Sequence, residues 1–182
     1  MYDREALIAL VRHKAVRFGD FRLTSGKKAT YYLDGKQVTL EPNGARLVAE
    51  GILDLLGQRR FPKAVGGMAI GADPITAAVV TMSAVRGTPL CGFMIRKEPK
   101  GHGTDQWLEG RKNLPPGTGV VIVEDVVTTG GSSMKAVRRA EEEGLKVLGI
   151  VTLVDREEGG RENIEAEGYW LKALFTKSEL VG

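Results

Sequence analysis

Apolar residues recur along the chain in two patterns, one with the spacing of an amphipathic helix and one in short continuous runs. The helical spacing predicts four helices, over residues 3–15, 42–57, 73–86 and 131–143. Asp3 and Asp73 are predicted to cap two of them, and Pro42 and Pro74 suit a first helical turn. The continuous runs predict buried strands over residues 64–66, 90–95, 119–125, 146–155 and 169–175. Runs of Val and Ile that alternate with helices are typical of strands covered on both faces, so we predict an α/β domain with a mostly parallel sheet flanked by helices.

Two regions depart from this alternation. Near the N-terminus, short strands are predicted over residues 21–23 and 31–33, with turn-forming residues between them. After residues 90–95 comes a long polar segment rich in glycine, proline and charge, and such loops inside compact domains are usually functional or disordered. Because no repeat or linker divides the sequence, residues 1–182 are predicted to form a single domain.

The composition is that of an ordinary globular protein, with 42% hydrophobic and 27% charged residues. The formal charge of +3 suits an anionic small molecule, and the cations are too dispersed to indicate a nucleic-acid partner. Cys91 is the one cysteine and lies in an apolar run, so we predict a buried core residue and a reducing compartment. The sequence has neither a signal-peptide core nor an apolar stretch of membrane length, so a cytoplasmic protein without a membrane partner is expected.

The most informative segment is VVIVEDVVTTGGSS, residues 120–133, in which an apolar strand ends in two adjacent acids. A loop of glycines and hydroxyl residues follows and begins a helix. Glycine lets the backbone approach a ligand, and free N–H groups at a helix start favour an anion, so a phosphate is predicted at residues 128–132. Glu124 and Asp125 would repel that phosphate, so we expect them to face neutral hydroxyls of the same ligand, such as those of a ribose 5-phosphate. The alternative is an ordinary capped strand-to-helix turn.

This segment resembles the phosphoribosyl pyrophosphate (PRPP) motif of type I phosphoribosyltransferases, in which an apolar strand, an acid pair and two residues precede Thr-Thr-Gly-Gly-Ser. The resemblance implies the fold of that family, with a small N-terminal hood over the substrates at residues 1–40. It also implies that the segment binds PRPP through Glu124, Asp125, Val126, Val127, Thr128, Thr129, Gly130, Gly131 and Ser132. No GK[ST] follows a glycine loop, which excludes a Walker-type loop, and without a G-x-G-x-x-G dinucleotide binding is unsupported.

Three further segments are similar to parts of the orotate phosphoribosyltransferases and stand in the same order as in that family. RKEPKGHG, residues 96–103, is similar to the mobile catalytic loop, which implies a mobile segment over residues 96–110. LTSGKKATYYLDGK, residues 23–36, is similar to the N-terminal substrate segment, and LVDREEGG, residues 153–160, to the arginine-bearing segment after a sheet strand. The chain is therefore expected to transfer phosphoribosyl from PRPP to orotate, giving orotidine 5'-phosphate and pyrophosphate in pyrimidine biosynthesis.

The resemblance assigns roles to the cations of the loop. They would bind PRPP and neutralise the leaving pyrophosphate, and they are Arg96, Lys97, Lys100 and His102. Lys100 is the first choice for that task, and Lys100, His102 and Asp125 are the predicted catalytic residues. A solvated loop whose charges have no such role is the alternative.

On the base side, Arg156 can pair with the carboxylate of orotate, and Thr128 is expected to contact both substrates. Tyr32 and Leu33 align with residues that line the base site. The residues alone leave other interpretations open. Arg156 can equally be a surface residue paired with a neighbouring glutamate, and Tyr32 and Leu33 can equally belong to the strand core.

Two positions depart from the family pattern. Many relatives carry a lysine where Thr24 stands, and an aromatic residue and a lysine where Ile70 and Gly71 stand. Backbone N–H groups at the second position can still receive pyrophosphate. Candidates to replace the missing lysines are Lys27, Lys28 and Lys36.

The resemblance further implies Mg²⁺ as cofactor, held mainly through PRPP with no direct metal ligand on the protein. It also implies a homodimer in which the loop of one subunit closes over the site of the other. Two alternatives share the PRPP site: a purine or uracil phosphoribosyltransferase, and a PRPP-sensing regulator that binds nucleic acid. The regulator would need a dense basic face or an added DNA-binding module, and the sequence offers dispersed cations and no room for the module.

Overall fold

A six-stranded sheet and a separate hairpin organise the fold in a computed structural model, which describes residues 2–22, 28–58, 61–99 and 107–181. The hairpin consists of β1 (Val16–Arg22) and β2 (Lys28–Leu33), which pair antiparallel. The sheet consists of β3 (Ala64–Met68), β4 (Cys91–Ile95), β5 (Leu108–Glu109), β6 (Gly119–Val127), β7 (Lys146–Asp155) and β8 (Trp170–Thr176). Its order is β5-β4-β3-β6-β7-β8, and only the short β5 runs antiparallel to its neighbour. The predicted mostly parallel sheet is confirmed.

Helices cover the sheet and tie the hairpin to it. They are α1 (Arg4–Lys14), α2 (Lys36–Thr39), α3 (Pro42–Gly57), α4 (Ala72–Val85), α5 (Gly131–Glu142), α6 (Gly160–Ala166) and α7 (Lys177–Val181), with a 3-10 helix at Arg111–Asn113. The predicted cap of α1 and the predicted first-turn proline of α3 are confirmed in position. Asp3 accepts a hydrogen bond from the amide of Ala6 at 2.9 Å, and Pro42 stands at the start of α3. None of the helices in the described part of the chain has both the length and the apolar character that a bilayer crossing requires.

The core has two halves, one on each face of the sheet. Strand β6 shows why, because successive side chains of a strand point to opposite faces. Val121 and Val123 belong to the cluster shared with α1, α3 and α4, whereas Val120 and Ile122 belong to the cluster shared with α5. Because β6 contributes side chains to both clusters, its residues on both faces must be apolar as far as Glu124.

Some predicted boundaries are wrong. The helix predicted to begin with Asp73 as its cap begins at Ala72, with Gly71 before it. The segment interpreted as a long loop ends in β5, where Leu108 pairs with Ile95. Cys91 is exposed rather than buried, because β5 reaches only the last two residues of β4 and leaves the start of that strand as an open edge. Helices α2, α6 and α7 are too short to show a period and were not predicted.

The sheet order contains one reversal that matters for function. From β3 the chain passes to β4 on one side, and it later returns to place β6 on the other side of β3. Ligands of open parallel sheets bind at such a switch point, outside the carboxyl ends of the strands. Here those ends are the turn that follows Met68 and the acid pair Glu124 and Asp125.

Candidate active site

Three segments converge on the side chain of Asp125 at the end of β6. A Cβ atom added to Gly71, in the turn after β3, would lie 2.6 Å from the Oδ1 atom of Asp125. A Cβ atom added to Gly35, before α2, would lie 3.1 Å from the Cβ of Asp125. A side chain at Gly71 would force the Asp125 carboxylate to move, and a side chain at Gly35 would press against the same residue. The hood, the turn at residues 69–71 and the acid pair thus meet at one point, where Asp125 is 13% exposed.

Lys36 is the cation next to this carboxylate. Its Nζ atom lies 3.6 Å from Oδ2 of Asp125 and 2.8 Å from Oδ1 of Asp34. The hydrogen bond to Asp34 and, to a smaller extent, the charge of Asp125 raise the pKa of Lys36. Burial alone would raise the pKa of Asp34, but hydrogen bonds from Lys36 and Gln37 outweigh it and lower that pKa. The arrangement is a charged triad of one ammonium group between two carboxylates.

Glu124, the other acid, has a different environment. Its residue is 6% exposed, and the hydroxyl of Ser133 donates to its Oε2 atom at 3.4 Å. Burial raises the pKa of Glu124 to about 7, with a further contribution from the charge of Asp125, while the hydroxyls of Ser132 and Ser133 lower it. In the absence of ligand, Glu124 is therefore about half protonated at neutral pH. Consecutive strand residues face opposite sides, so Glu124 faces α5 and Asp125 faces Gly71 and Lys36.

The loop between β6 and α5 encloses a cavity of about 220 Å³, lined by the eight residues from Val126 to Ser133. Gly130 has φ = 80°, a left-handed conformation that glycine adopts without strain, and α5 begins at the next residue. The first N–H groups of a helix have no partner within it, and the helix dipole favours an anion there. A phosphate-sized space at the start of α5 is what the sequence predicts for residues 128–132.

Helix α6, which sequence reasoning missed, supports this loop from behind. A Cβ atom on Gly160 would lie 2.6 Å from the carbonyl oxygen of Thr128, so the helix packs directly on the loop backbone. The side-chain amide of Asn163 donates to the carbonyl of Thr129 at 3.0 Å. The amide of Arg156 donates to the carbonyl of Val127 at 2.9 Å. The only sequence signal for this support is Gly159-Gly160, which precedes a short helix.

Arg156 lies beside the loop with a side chain that is 13% exposed. It forms an ion pair with Glu158 at 2.8 Å, which agrees with the alternative that Arg156 pairs with a neighbouring glutamate. Its side chain is nevertheless largely buried, so it is not a surface residue. Its Nη2 atom donates to the hydroxyl of Tyr31 at 3.1 Å, and its Cζ atom lies 5.1 Å from the centre of that ring. Its Nε atom is buried and has no hydrogen-bond partner among the described residues. Such a donor is suited to a ligand that supplies an acceptor.

The hood residue that contacts Arg156 is Tyr31, and not Tyr32 or Leu33, which the sequence indicates. Tyr32 is 46% exposed and its ring lies 5.8 Å from that of Phe21, on the opposite face of β2 from Tyr31. Leu33 is 7% exposed and belongs to the hydrophobic core. Neither of them has a recorded contact with Arg156, so Tyr31 is the residue that sequence reasoning missed.

Of the four cations assigned to the catalytic loop, two lie within the described residues. Arg96 donates from Nε and Nη2 to the Oε1 atom of Glu109, at 2.9 and 2.6 Å. Lys97 is exposed. Lys100 and His102 lie outside the described residues, as does Thr24. Arg96 is therefore paired with Glu109 of β5.

The described residues include no group of three or more His, Cys, Asp or Glu side chains that could hold a metal ion. The carboxylates near the switch point are Glu124, Asp125 and Asp34, and Lys36 already occupies the space between two of them. Mg²⁺ is commonly bound by one or two carboxylates together with substrate phosphates. The chemistry of these donors fits a metal that arrives with a phosphorylated ligand better than one held by the chain alone.

Comparison with known proteins agrees with this geometry. The family model of the phosphoribosyl transferase domain matches residues 54–168. A relative named orotate phosphoribosyltransferase, from Aquifex aeolicus, is 46% identical over 184 residues, which cover 100% of this chain and 99% of the relative. Another relative of that name, from Rhodopirellula baltica, is 49% identical over 96% of this chain and 92% of its own length.

Solved structures lead to the same group of proteins. Orotate phosphoribosyltransferase of Mycobacterium tuberculosis, in complex with Fe(III) dicitrate, superposes with a TM-score of 0.87 at 35% identity and covers 98% of this chain and 99% of that one. The same enzyme in complex with PRPP superposes with a TM-score of 0.82 at 32% identity, with 97% and 98% covered. At these identities and coverages, similarity extends over the whole domain and not only over the PRPP motif.

Proposed function

The chain belongs to the orotate phosphoribosyltransferase family, and from this membership we propose how its own residues carry out the reaction. It transfers the phosphoribosyl group of PRPP to orotate, giving orotidine 5'-phosphate and pyrophosphate. The observation that carries the assignment of residues is the cavity of about 220 Å³ at the start of α5, next to the acid pair at the switch point. The proposal that one ligand uses both is supported by Ser133, which lines the cavity and also donates to Glu124.

The 5-phosphate of PRPP is assigned to the loop from Val126 to Ser132, where glycines and helix N–H groups receive it. The ribose hydroxyls are assigned to Glu124 and Asp125, since carboxylates accept hydrogen bonds from neutral hydroxyls and repel phosphate. A hydroxyl that donates to Glu124 favours the ionised form of that acid. Binding of PRPP should therefore lower the pKa of Glu124 from its value in the empty site.

Orotate is assigned to the space beside Arg156. Its carboxylate can accept from the buried Nε atom that has no partner among the described residues, and it can displace Glu158 from Nη2. Tyr31 holds the guanidinium group from the other side through its hydroxyl and its ring. Thr128 lies between the two substrates, at the point where β7 leads into Arg156 and β6 into the loop.

No covalent intermediate is required. The bond between C1 of the ribose and the pyrophosphate oxygen breaks, and N1 of orotate, which is acidic enough to react as an anion, forms the new bond to C1. The chain positions the two substrates, neutralises charge on the leaving group and excludes water that would compete for C1. Arg96, Lys97, Lys100 and His102 are the cations assigned to the leaving pyrophosphate, and their loop is assigned to closure.

Mg²⁺ is proposed as the cofactor, held mainly through PRPP. When bound it would supply positive charge to the pyrophosphate oxygens and to the ribose hydroxyls. Asp125 and Glu124 are the acids that stand at the hydroxyl edge of the ribose in this assignment. The chemistry of these carboxylates and the family to which the chain belongs support Mg²⁺ as the cofactor.

A homodimer is proposed as the working unit, with α4 at its interface. Apolar residues of this helix are not confined to its buried face, and a helix with apolar residues on several faces is normally covered on more than one side. Here its outer face is exposed, with Val85 71% exposed. Next to it lies an apolar groove of about 530 Å³ that Leu40, Pro74 and Met82 line. A second copy of the chain would cover this face and bring its own 96–110 loop to the site.

The names of the full-length relatives favour orotate over the purine and uracil alternatives and over a regulator that binds nucleic acid. A cytoplasmic location stays a prediction, supported by the free and exposed thiol of Cys91, which suits a reducing compartment.

The test of the proposed function is one assay with PRPP, a divalent metal and each nucleobase in turn. We expect loss of orotate absorbance only when PRPP and metal are both present, and we expect EDTA to stop it. Turnover of hypoxanthine, adenine or uracil without turnover of orotate would contradict the assignment.

A further inference from the structure

Lys36 occupies a position that the reaction described above does not yet explain. It is the first residue of α2, and its ammonium group points from the hood into the acid pair. Its side chain is 41% exposed, so the ammonium group is accessible to a ligand. Ion pairs at this level of exposure are weak and exchange readily for better ones. Lys36 is therefore held next to Asp125 without being locked there.

Lys36 and the helix that begins at the 5-phosphate cavity contact different acids of the pair. Glu124 contacts Ser133 of α5, whereas Asp125 contacts Gly35, Gly71 and Lys36. In PRPP the 5-phosphate and the pyrophosphate leave the ribose at opposite ends, with the hydroxyl edge between them. If the 5-phosphate lies at the start of α5 and the hydroxyls lie on the acids, the pyrophosphate extends toward Gly71 and Lys36.

The turn at residues 69–71 provides backbone groups but no cation at this place. Gly71 has no side chain, and the space that a Cβ atom would need is taken by the Asp125 carboxylate, 2.6 Å away. The turn itself therefore contributes no positive charge where the pyrophosphate should lie. Among the lysine side chains that the structure describes, Lys36 is the one recorded in contact with the acid pair.

We propose that Lys36 binds the pyrophosphate of PRPP and supplies from the hood the positive charge that the turn at Gly71 does not provide. The proposal rests on the proposed function, because it takes the orientation of PRPP from it. In the empty site the ammonium group is shared by Asp34 and Asp125. When PRPP binds, the group turns to the pyrophosphate, while Asp34 remains as its anchor and Asp125 is free to accept from a ribose hydroxyl.

The competing explanation is that Lys36 only positions Asp125. The two explanations differ in which half of the substrate loses affinity when the charge is removed. A positioning residue would affect the ribose hydroxyls, and hence ribose 5-phosphate. A pyrophosphate-binding residue would affect inorganic pyrophosphate and PRPP and leave ribose 5-phosphate almost unchanged.

The experiment measures binding by calorimetry, with Mg²⁺ present, for inorganic pyrophosphate and for ribose 5-phosphate separately. The variants are Lys36→Met, which removes the charge at similar length, and Lys36→Arg, which keeps it. Lys63→Met is the matched control, because Lys63 is exposed and precedes β3 at the end of that strand remote from the site. Melting temperatures of all variants are recorded, and Lys36→Gln replaces the methionine variant if that one does not fold.

We expect Lys36→Met to weaken pyrophosphate about tenfold or more, the range for loss of a charge-assisted hydrogen bond, and ribose 5-phosphate less than about twofold. Lys36→Arg should restore most of the pyrophosphate affinity, and Lys63→Met should leave both ligands unchanged. Equal weakening of both ligands, or of neither, would overturn the proposal. Because the readout is binding, a wild-type protein that binds pyrophosphate but does not consume orotate would contradict the proposed function and not the role of Lys36.

Discussion

Glu124 allows a quantitative test of the site in the absence of substrate. Burial raises its pKa to about 7 from an ordinary value of 4.5. At about 1.4 kcal/mol per pKa unit, the ionised carboxylate destabilises the folded state by about 3 kcal/mol relative to the protonated acid. The carboxyl group is neutral in both the folded and the unfolded state below about pH 4.5. Stability is therefore lost as the pH rises from about 4.5 through about 7, and the full loss is present above that.

The substitution Glu124→Gln removes this titration and keeps the shape of the side chain. We expect the variant and the wild-type protein to have similar free energies of unfolding at about pH 4 and below, where the carboxyl group is largely neutral in both states. Near pH 8.5 the variant should be more stable by up to about 3 kcal/mol. Urea denaturation at a series of pH values, without substrate, measures the difference directly.

Asp125→Asn provides the control for the physical cause. The charge of Asp125 is the second contribution to the raised pKa of Glu124, after burial. In the Asp125→Asn background the folded-state pKa of Glu124 should be lower, so the stabilisation by Glu124→Gln should level off at a lower pH and reach a smaller maximum. The pH at which the stabilisation begins should not change, because the pKa of the unfolded state sets it. A stability difference between Glu124→Gln and wild type that does not change with pH would refute the whole argument, because it would mean that Glu124 is ionised at no unusual cost.

Two other predictions concern the substrates. Arg156→Ala should raise the KM for orotate much more than the KM for PRPP in steady-state kinetics, because the lost partner is a carboxylate on the base, and equal changes would contradict this. Asp125→Asn should weaken the use of PRPP by roughly 1.5–3 kcal/mol, through loss of a charge-assisted hydrogen bond, with a smaller change in melting temperature. A third prediction concerns the dimer: when the weakened Asp125→Asn variant is mixed with an equal amount of Lys100→Ala, activity should rise to about a quarter of wild type once subunits exchange, since about half the dimers are mixed and each has one intact site. No recovery despite demonstrated exchange would contradict shared sites.

The sheet and its long helices could be predicted from the sequence because they depend on apolar runs that carry their own periodicity. Strand β6 has no polar residue before Glu124, and α3 begins at a proline and presents a continuous apolar face. Strand β5 and helices α2, α6 and α7 could not be predicted, because two to seven residues are too few to establish a period. Their positions depend on what they pack against. Gly160, for example, is required by the carbonyl of Thr128, which is distant in sequence.

The residues of the site also differ in whether the sequence alone could predict them. The PRPP loop is contiguous, so its composition alone predicts a phosphate. Arg156 is different, because whether it lies on the surface or within the site depends on the hood strand that reaches it. Tyr31 and Tyr32 are adjacent and chemically similar, and only the pairing of β2 with β1 decides which one faces Arg156. A shift of one residue in that register would exchange them, and nothing local in the sequence fixes the register.

Local capping signals failed at Asp73 for a related reason. Asp followed by Pro is a good helix start, yet the helix begins earlier, at Ala72, and the Oδ1 atom of Asp73 has no hydrogen-bond partner among the described residues. The turn before the helix is determined instead by Asp125, which lies where a side chain at Gly71 would need to be. A contact between two segments about fifty residues apart thus outweighs a preference of two neighbouring residues.

The electrostatics of the acid pair explain how a site with two adjacent carboxylates can receive a highly anionic substrate. In the structure Asp125 is matched by the ammonium group of Lys36, and Glu124, with its pKa raised to about 7, is partly protonated near neutral pH. The pair therefore presents much less than two negative charges to an approaching phosphate. When PRPP binds, its hydroxyls favour ionised Glu124, which should release a proton, and its pyrophosphate competes for Lys36.

Calorimetry of PRPP binding in buffers of different ionisation enthalpy would detect that proton, and the amount released should fall toward zero in Glu124→Gln. Release that is unchanged in the variant would mean that Glu124 is not the group that ionises.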